Sequence, residues 1–230
     1  MDSQLELGMS VSLIGNGGTV AEVATNTLAL RVEARPLDVG AYGSYQAGVV
    51  SGVMAAGIAA NANIVSFRWA SSAALALIRQ VRIQAWIGTT AFVAGNGNFA
   101  LFAARSFSAS DTGGTAPTLT NNNAKLKTAF ATTQVSAASG DFRASTTAAL
   151  SAGTRVLDAA ALAQCGFPIS TVADVVIIPW QDLFFPGPQG QPLTLAQNEG
   201  FVIQTNMPGT GTWGFAATIA WDEYVINAGF

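Results

Sequence analysis

The sequence predicts an all-β protein that folds as a sandwich, a jelly roll or a barrel. Roughly eight or nine short segments alternate between apolar and polar residues, or run apolar between turn signals, as strands do. No segment carries the periodicity of a long helix. Half of the 230 residues are apolar and 13 are Phe, so the chain can bury a substantial core.

The first 62 residues differ from the rest and predict an extended N-terminal arm or an accessory β segment. They are rich in Gly, Ala and Val. Loop signals occur at Gly15-Asn16-Gly17-Gly18 and at Arg35-Pro36, and the β-like runs are Met9–Ile14 and Thr27–Arg35. The Gly/Ala-rich stretch Gly40–Ala62 predicts partly extended chain, as an arm or an edge segment.

From residue 63 to residue 230 the strand signals become regular and predict the main β domain. The predicted strands are Ile64–Trp69, Ile78–Ile87, Phe99–Phe107, Asp141–Ser145, Thr154–Leu157, Leu193–Leu195, Gly200–Thr205 and Thr212–Tyr224. Turns or loops are predicted at Gly95–Asn98, Ser108–Asn123, Cys165–Pro168 and Phe184–Pro192. Ser71–Leu77 is compatible with a helical turn or a loop, and Ala124–Ala131 is the best candidate for a short helix.

Two arginines pose a problem for the predicted strand Ile78–Ile87. Arg79 and Arg82 fall on opposite parities of the alternation, so they would point to opposite faces of a regular strand. One of them must therefore lie at an edge or be paired, because an unpaired buried charge is costly.

The composition excludes several classes of function. The chain has no His, which removes His-dependent triads and His-ligated metal or haem sites, and one Cys, which removes intrachain disulfides and thiolate metal clusters. Ten basic and 13 acidic residues do not predict nucleic-acid binding. The acidic start of the chain is not a secretory signal, and no apolar run is long enough to predict a spanning helix. We therefore expect a soluble protein made in a cytoplasm.

The surface is predicted to carry unusually little charge. Only 10% of the residues are charged, against about 25% in an average soluble domain. The surface must then be a neutral coat of Ser, Thr and other small residues, or must be covered by copies of the same chain or by a partner. The second interpretation is favoured, because depletion of charge is typical of the core of an interface.

The acidic residues give no catalytic constellation. Asp111-Thr112-Gly113 matches the triplet of aspartic proteases but lies in a polar loop, where a turn is the simpler interpretation. Asp222 and Glu223 are adjacent in a strand and must point to opposite faces. Asp174 and Asp182 flank an apolar segment, so a glycosidase pair is a weak alternative.

The remaining motifs favour structural roles. Gly15–Gly18 lacks the Lys-Ser/Thr of a phosphate-binding loop, and Cys165 has no His to activate it. Aromatic side chains can form a platform for a sugar, and the chain has five tryptophans: Trp69, Trp86, Trp180, Trp213 and Trp221. Most of them are expected in the core. Trp180, next to Pro179, is the one most expected to be exposed. No catalytic, cofactor-binding or metal-binding residue is predicted, and the protein is not expected to be an enzyme.

Residues 60 to 225 resemble small virion structural proteins of tailed bacteriophages. The segments that carry this likeness are Arg82–Trp86, Phe99–Phe107, Asp111–Gly114, Asn122–Lys127, Leu195–Ile203, Gly211–Phe215 and Ala220–Glu223. The resemblance implies a jelly-roll-like antiparallel sandwich with an extended N-terminal arm, on the exterior of the capsid. It marks no functional residues.

The function implied is that of a capsid decoration, or cement, protein. Such a protein binds the major capsid protein and copies of itself, with a homotrimer favoured, and is assembled in the host cytoplasm without nucleic-acid or membrane contacts. The alternative is a collar, head-fibre or tail protein that binds host-surface glycans. A carbohydrate-active enzyme is a third and weaker alternative.

Overall fold

The computed structural model describes residues 23–24, 29–30, 42–136, 139–151, 153–187 and 190–225. The chain divides into two units, Met1–Pro36 and Leu37–Phe230. In the first unit, β1 (Val23–Ala24) pairs antiparallel with β2 (Ala29–Leu30), which lies within the predicted run Thr27–Arg35. The predicted strand Met9–Ile14 and the loop Gly15–Gly18 lie outside the described residues.

In its described residues, the second unit contains eleven strands, joined by turns and loops, and no helix. They are β3 (Gly43–Val50), β4 (Ala62–Arg68), β5 (Ala74–Ile87), β6 (Gly95–Phe107), β7 (Phe142–Ala144), β8 (Arg155–Leu157), β9 (Ala163–Ile169), β10 (Val176–Phe184), β11 (Leu193–Leu195), β12 (Gly200–Asn206) and β13 (Trp213–Val225). Across the described ranges, no helix is long and apolar enough to span a bilayer.

These strands form two antiparallel sheets. The first sheet has the order β10-β5-β13-β3, with β11 also paired to β5, and the second has the order β7-β4-β12-β6-β8, with β9 also paired to β6. Four of the pairs are nested along the chain: β3 with β13, β4 with β12, β5 with β10, and β6 with β9. The predicted all-β antiparallel sandwich is confirmed.

The core lies between the two sheets and is dominated by aromatic rings. Tyr45 stacks on Trp221 with ring centroids 5.6 Å apart, and Phe67 stacks on Phe201 at 5.3 Å. Phe67 also meets the edge of Trp221 at 5.5 Å, so rings from both sheets are in contact. The alternation of apolar residues along β3, β4, β12 and β13 delivers these rings to the same side of each strand.

A β-bulge resolves the problem of the two arginines in β5. Ala220 pairs with Gln80 and Trp221 pairs with Ile78, so Arg79 has no register partner on β13. The extra residue shifts the alternation by one, and Arg79 and Arg82 are both about 40% exposed on the outer face. Each is ion-paired to a carboxylate, which satisfies the sequence-based expectation for both residues rather than for one.

The turn predicted at Gly95–Asn98 is wrong. These residues begin β6 and pair with β9, with Gly97 opposite Phe167. A Cβ atom on Gly97 would lie only 2.5 Å from the Phe167 ring. The glycine therefore serves the close approach of an aromatic side chain within a strand, and not the turn that its neighbours suggest.

The predicted helix Ala124–Ala131 is also wrong. Its backbone instead covers the open edge of β3: the Gln46 N–H donates to the Ala124 carbonyl at 2.7 Å, and the Leu126 N–H donates to the Ser44 carbonyl at 3.0 Å. An isolated helix of about two turns is marginal in water. Covering a sheet edge satisfies the same backbone groups and blocks pairing with another strand.

Two further predictions need correction. The loop expected at Cys165–Pro168 is part of β9, where Pro168 is tolerated because β9 is paired on one side only among the described residues. The strand β5 begins at Ala74, so it includes the end of Ser71–Leu77.

The predicted boundary at residue 62 does not coincide with the division of the chain. The segment Gly43–Val50 is the edge strand β3 of the sandwich, and its Tyr45, Ala47 and Val49 side chains are buried in the core. The expectation of an edge segment within Gly40–Ala62 is therefore met by β3. What the sequence suggests as one N-terminal arm includes a strand of the sandwich.

Candidate interaction surface

The outer face of the first sheet gathers polar and aromatic side chains around β5 and β10. The name aromatic patch is used here for Gln80, Arg82, Trp180, Asp182 and Phe185. The regular alternation of β5 after the bulge puts Arg82 on this face, and β10 is paired beside it with Asp182 opposite Arg82. Sheet pairing thus brings together groups from residues 80–82 and 180–185.

An ordered network joins the polar members of the patch. Arg82 Nε lies 3.0 Å from Asp182 Oδ1, and Gln80 Nε2 donates to the same oxygen at 2.7 Å. The Arg82 guanidinium lies over the Trp180 ring, 5.7 Å from its centroid. The guanidinium therefore has a carboxylate and an indole ring as its neighbours, although its Nε makes no hydrogen bond.

A pocket opens beside this network. It has a volume of about 230 Å³, and its lining includes Arg79, Gln80, Phe185 and Asp222. Arg79 Nη1 donates to Asp222 Oδ2 at 2.8 Å, so the cation and the carboxylate of the pocket are paired. Gln80 belongs to both the pocket and the aromatic patch, which makes them one continuous surface.

The tryptophans divide between core and surface as the sequence predicts. Trp69, Trp213 and Trp221 are at most 1% exposed, whereas Trp180 is 41% exposed. Trp86 is half-buried on the outer face. Trp180 is therefore the one described tryptophan classed as exposed, and it is the residue that the sequence favours as a platform.

Asp111 is a structural residue in this fold. Its side chain is buried, forms an ion pair with Arg155, and accepts a hydrogen bond from the Gly153 N–H. These contacts tie the loop after β6 to the segment that enters β8. An aspartic protease needs a second carboxylate next to the Asp of its Asp-Thr-Gly triplet. Among the described residues, the partners of the Asp111 side chain are Arg155 and the Gly153 N–H, and neither is a carboxylate.

The other carboxylates also have structural partners. Asp222 and Glu223 point to opposite faces, as predicted, and Asp222 is paired with Arg79. Asp182 is held by Arg82 and Gln80, while Asp174 lies in the turn before β10 with φ of 55°. Neither Asp174 nor Asp182 is placed as one member of a facing acid pair.

Cys165 lies half-buried on β9, and burial raises the pKa of its thiol. A raised pKa disfavours the reactive thiolate. Among the described residues, no cluster of three or more Cys, Asp or Glu side chains is arranged to hold a metal ion.

Glu223 is a buried carboxylate that is held by hydrogen bonds, and no ion pair joins it to another described residue. It accepts hydrogen bonds from Thr133 Oγ1, from Trp221 Nε1 at 3.0 Å and from the Gln134 N–H at 3.1 Å. Burial raises its pKa, and these three donors oppose the rise only in part. Burial, and after it the charge of the same carboxylate, raises the pKa of Tyr45, which lies on the neighbouring strand.

We expect Glu223 to make the protein less stable as the pH rises. Because the pKa of Glu223 is raised in the folded state, folding favours the protonated carboxyl. The resulting contribution to stability is fully present below the ordinary pKa of 4.5, and it is lost as the pH rises through the pKa of the folded state. Urea unfolding between pH 4 and pH 8 would measure it as the difference between wild type and Glu223→Gln. The same measurement on Asp141→Asn gives a matched comparison. Burial also raises the pKa of Asp141, so its pH dependence should have the same sign. A difference that grows in favour of the wild type with rising pH would contradict the assignment.

Sequence reasoning identified Trp180 but missed Gln80, Arg82 and Phe185 as its neighbours. Gln80 and Arg82 read as polar positions of an alternating strand, and Phe185 reads as part of a proline-rich loop. The one available signal was the unresolved parity of Arg79 and Arg82. Comparison of the chain with protein-family models and with curated proteins gives no match to either.

Proposed function

We propose that the protein is a structural component of a tailed-phage virion that decorates and stabilises the outside of the capsid shell. In this role it binds the major capsid protein and copies of itself, as a homotrimer, without catalysis. The observation that carries the proposal is the scarcity of charge, 10% of the residues, taken together with the sequence resemblance.

Half of the charged side chains described in the sandwich are paired within it. Within the described ranges, four ion pairs join Arg79 to Asp222, Arg82 to Asp182, Arg105 to Asp158 and Arg155 to Asp111. Glu223 and Asp141 are buried. Because the chain carries few charges in all, a covering surface has few of them to desolvate, which favours packing in a symmetric shell.

Exposed apolar side chains are also present on the sandwich. Large apolar residues that are more than half exposed are Val50, Val53, Val93, Leu126, Val156, Val172, Val176 and Phe185. Scattered singly, such groups are ordinary on a protein surface, and each can make a weak contact with a neighbouring copy. Many weak contacts of this kind become strong together in a lattice.

The sandwich is further proposed to be a jelly roll. The eight long strands pair in a nested order, the first with the last and so on inward, and the chain passes back and forth between the two sheets. This arrangement is the one expected when a long antiparallel hairpin is wrapped into two sheets. The edge strand β3, covered by Ala124–Ala131, takes the first place in that order.

The proposal predicts a high copy number in purified virions. Quantitative mass spectrometry against the major capsid protein should give about one copy per shell subunit, or a simple fraction of it, because a decoration protein follows the lattice. Sedimentation of the purified protein should give about three times the chain mass of 23.5 kDa. Absence from particles would overturn the virion assignment.

A second candidate function is favoured by the exposed indole of Trp180. A collar, head-fibre or tail component that binds host-surface glycans would present such a side chain to solvent. A few copies per particle, with glycan binding, would support this candidate over the decoration protein.

A further inference from the structure

We propose that the aromatic patch and the adjoining pocket form a binding site for a neutral oligosaccharide. The site is argued from the side chains of the outer sheet face alone, and it does not depend on the copy number or the position of the protein in a virion.

Two exposed aromatic rings supply the apolar part of the site. Trp180 is 41% exposed and Phe185 is 60% exposed, and both belong to the segment that begins with β10. One face of the indole is occupied by the Arg82 guanidinium. An aromatic ring held in this way offers a rigid surface on which the C–H face of a sugar ring packs, at a small cost in side-chain entropy.

The polar groups are ordered before any ligand binds. Asp182 Oδ1 accepts a hydrogen bond from Gln80 at 2.7 Å, and it lies 3.0 Å from Arg82 Nε as an ion pair without hydrogen-bond geometry. Arg82 and Asp182 nevertheless remain 39% and 42% exposed. Amide, guanidinium and carboxylate groups together supply both donors and acceptors, which is what neighbouring sugar hydroxyls require. Because the network is already in place, less entropy is lost on binding.

The size of the pocket fits part of such a ligand. At about 230 Å³ it is smaller than the pockets of about 300–1,000 Å³ that enclose drug-sized molecules. We infer that one sugar ring enters it, beside Gln80 and Phe185, while the next ring lies on Trp180. Gln80 lines the pocket and touches the network, so it would contact both parts of the ligand.

The charge of the site favours a neutral ligand. Each arginine is paired with one carboxylate, Arg79 with Asp222 and Arg82 with Asp182. An anionic ligand such as a phosphate or a sulfated sugar would have to displace a carboxylate from its arginine. A neutral sugar can hydrogen-bond to the pairs as they stand.

The test is the binding of purified protein to an array of immobilised neutral and anionic oligosaccharides. Wild type should bind neutral ligands, and Trp180→Ala and Gln80→Ala should each bind about tenfold more weakly or worse. Val172→Ala is the matched control, because Val172 is 59% exposed and lies outside the patch. It should bind as wild type does. Near-ultraviolet circular dichroism would establish that each variant is folded.

Three results would overturn the site: no neutral oligosaccharide bound by wild type, binding confined to anionic oligosaccharides, or undiminished binding by folded Trp180→Ala. These results are separate from those that test the virion role. A protein present in lattice-like numbers that binds no glycan would retain the proposed function and lose this site, and a glycan binder absent from virions would do the reverse.

Discussion

Replacing Trp221 with alanine is expected to lower the free energy of unfolding by about 3–5 kcal/mol. The side chain is fully buried and stacks on Tyr45 with ring centroids 5.6 Å apart. It also meets Phe67 of the second sheet, so the substitution opens a cavity where the two sheets pack together. Its Nε1–H is one of the donors to the buried Glu223 carboxylate, which would lose that hydrogen bond. Equilibrium unfolding in urea, followed by circular dichroism, measures the loss.

Trp180→Ala is the matched control for this prediction, because it removes the same side chain from the exposed face of the same sheet. It should cost about 1 kcal/mol or less. Trp221→Phe keeps an aromatic ring in the core and loses the hydrogen bond to Glu223, so it should fall between the two. It also remains measurable if Trp221→Ala does not fold. Equal losses for Trp180→Ala and Trp221→Phe would contradict the placement of Trp221 at the centre of the core.

Replacing Arg155 with methionine should cost about 3–5 kcal/mol, because it leaves the buried Asp111 carboxylate without its cation. The two side chains are 6% and 0% exposed. Asp111 Oδ2 already has no hydrogen-bond partner in the structure, so little remains to compensate the charge once Arg155 is gone. The loss should appear as a lower midpoint of urea unfolding at neutral pH.

The double variant Arg155→Met with Asp111→Asn separates the ion pair from simple packing. It removes the uncompensated charge and retains an oxygen that can accept from the Gly153 N–H. We expect it to be more stable than Arg155→Met alone. If the double variant were less stable than Arg155→Met by the full cost of Asp111→Asn, the two residues would act independently and the ion pair would have no role in stability.

The candidate surface was only partly accessible to sequence reasoning. The exposure of Trp180 follows from its local context, next to Pro179 and outside a clean apolar alternation. Its neighbours Gln80 and Arg82 are about 100 residues away along the chain and meet it only because β5 and β10 pair. The bulge at Arg79 then brings Arg79 to the face that Arg82 occupies. The sequence shows that the two arginines fall on opposite parities, but not where the alternation shifts.

The errors in the predicted elements share one physical cause. Gly95–Asn98 and Cys165–Pro168 carry turn-forming residues, yet they pair with each other as parts of β6 and β9. Ala124–Ala131 carries helix-forming residues, yet its backbone covers the edge of β3. In each case hydrogen bonds to a distant partner outweigh a local preference of a few tenths of a kcal/mol to about 1 kcal/mol per residue.

Sequence alone was enough to predict the all-β class, most of the long strands, the burial of most tryptophans and the scarcity of charge. These properties follow from alternation and composition, which are local or additive along the chain. The folded structure was needed to establish the strand order, the ion pairs of Arg79, Arg82 and Arg155, and the patch around Trp180. Those features depend on which distant segments pair and in which register, and a shift of one residue in register turns every side chain of a strand to the other face.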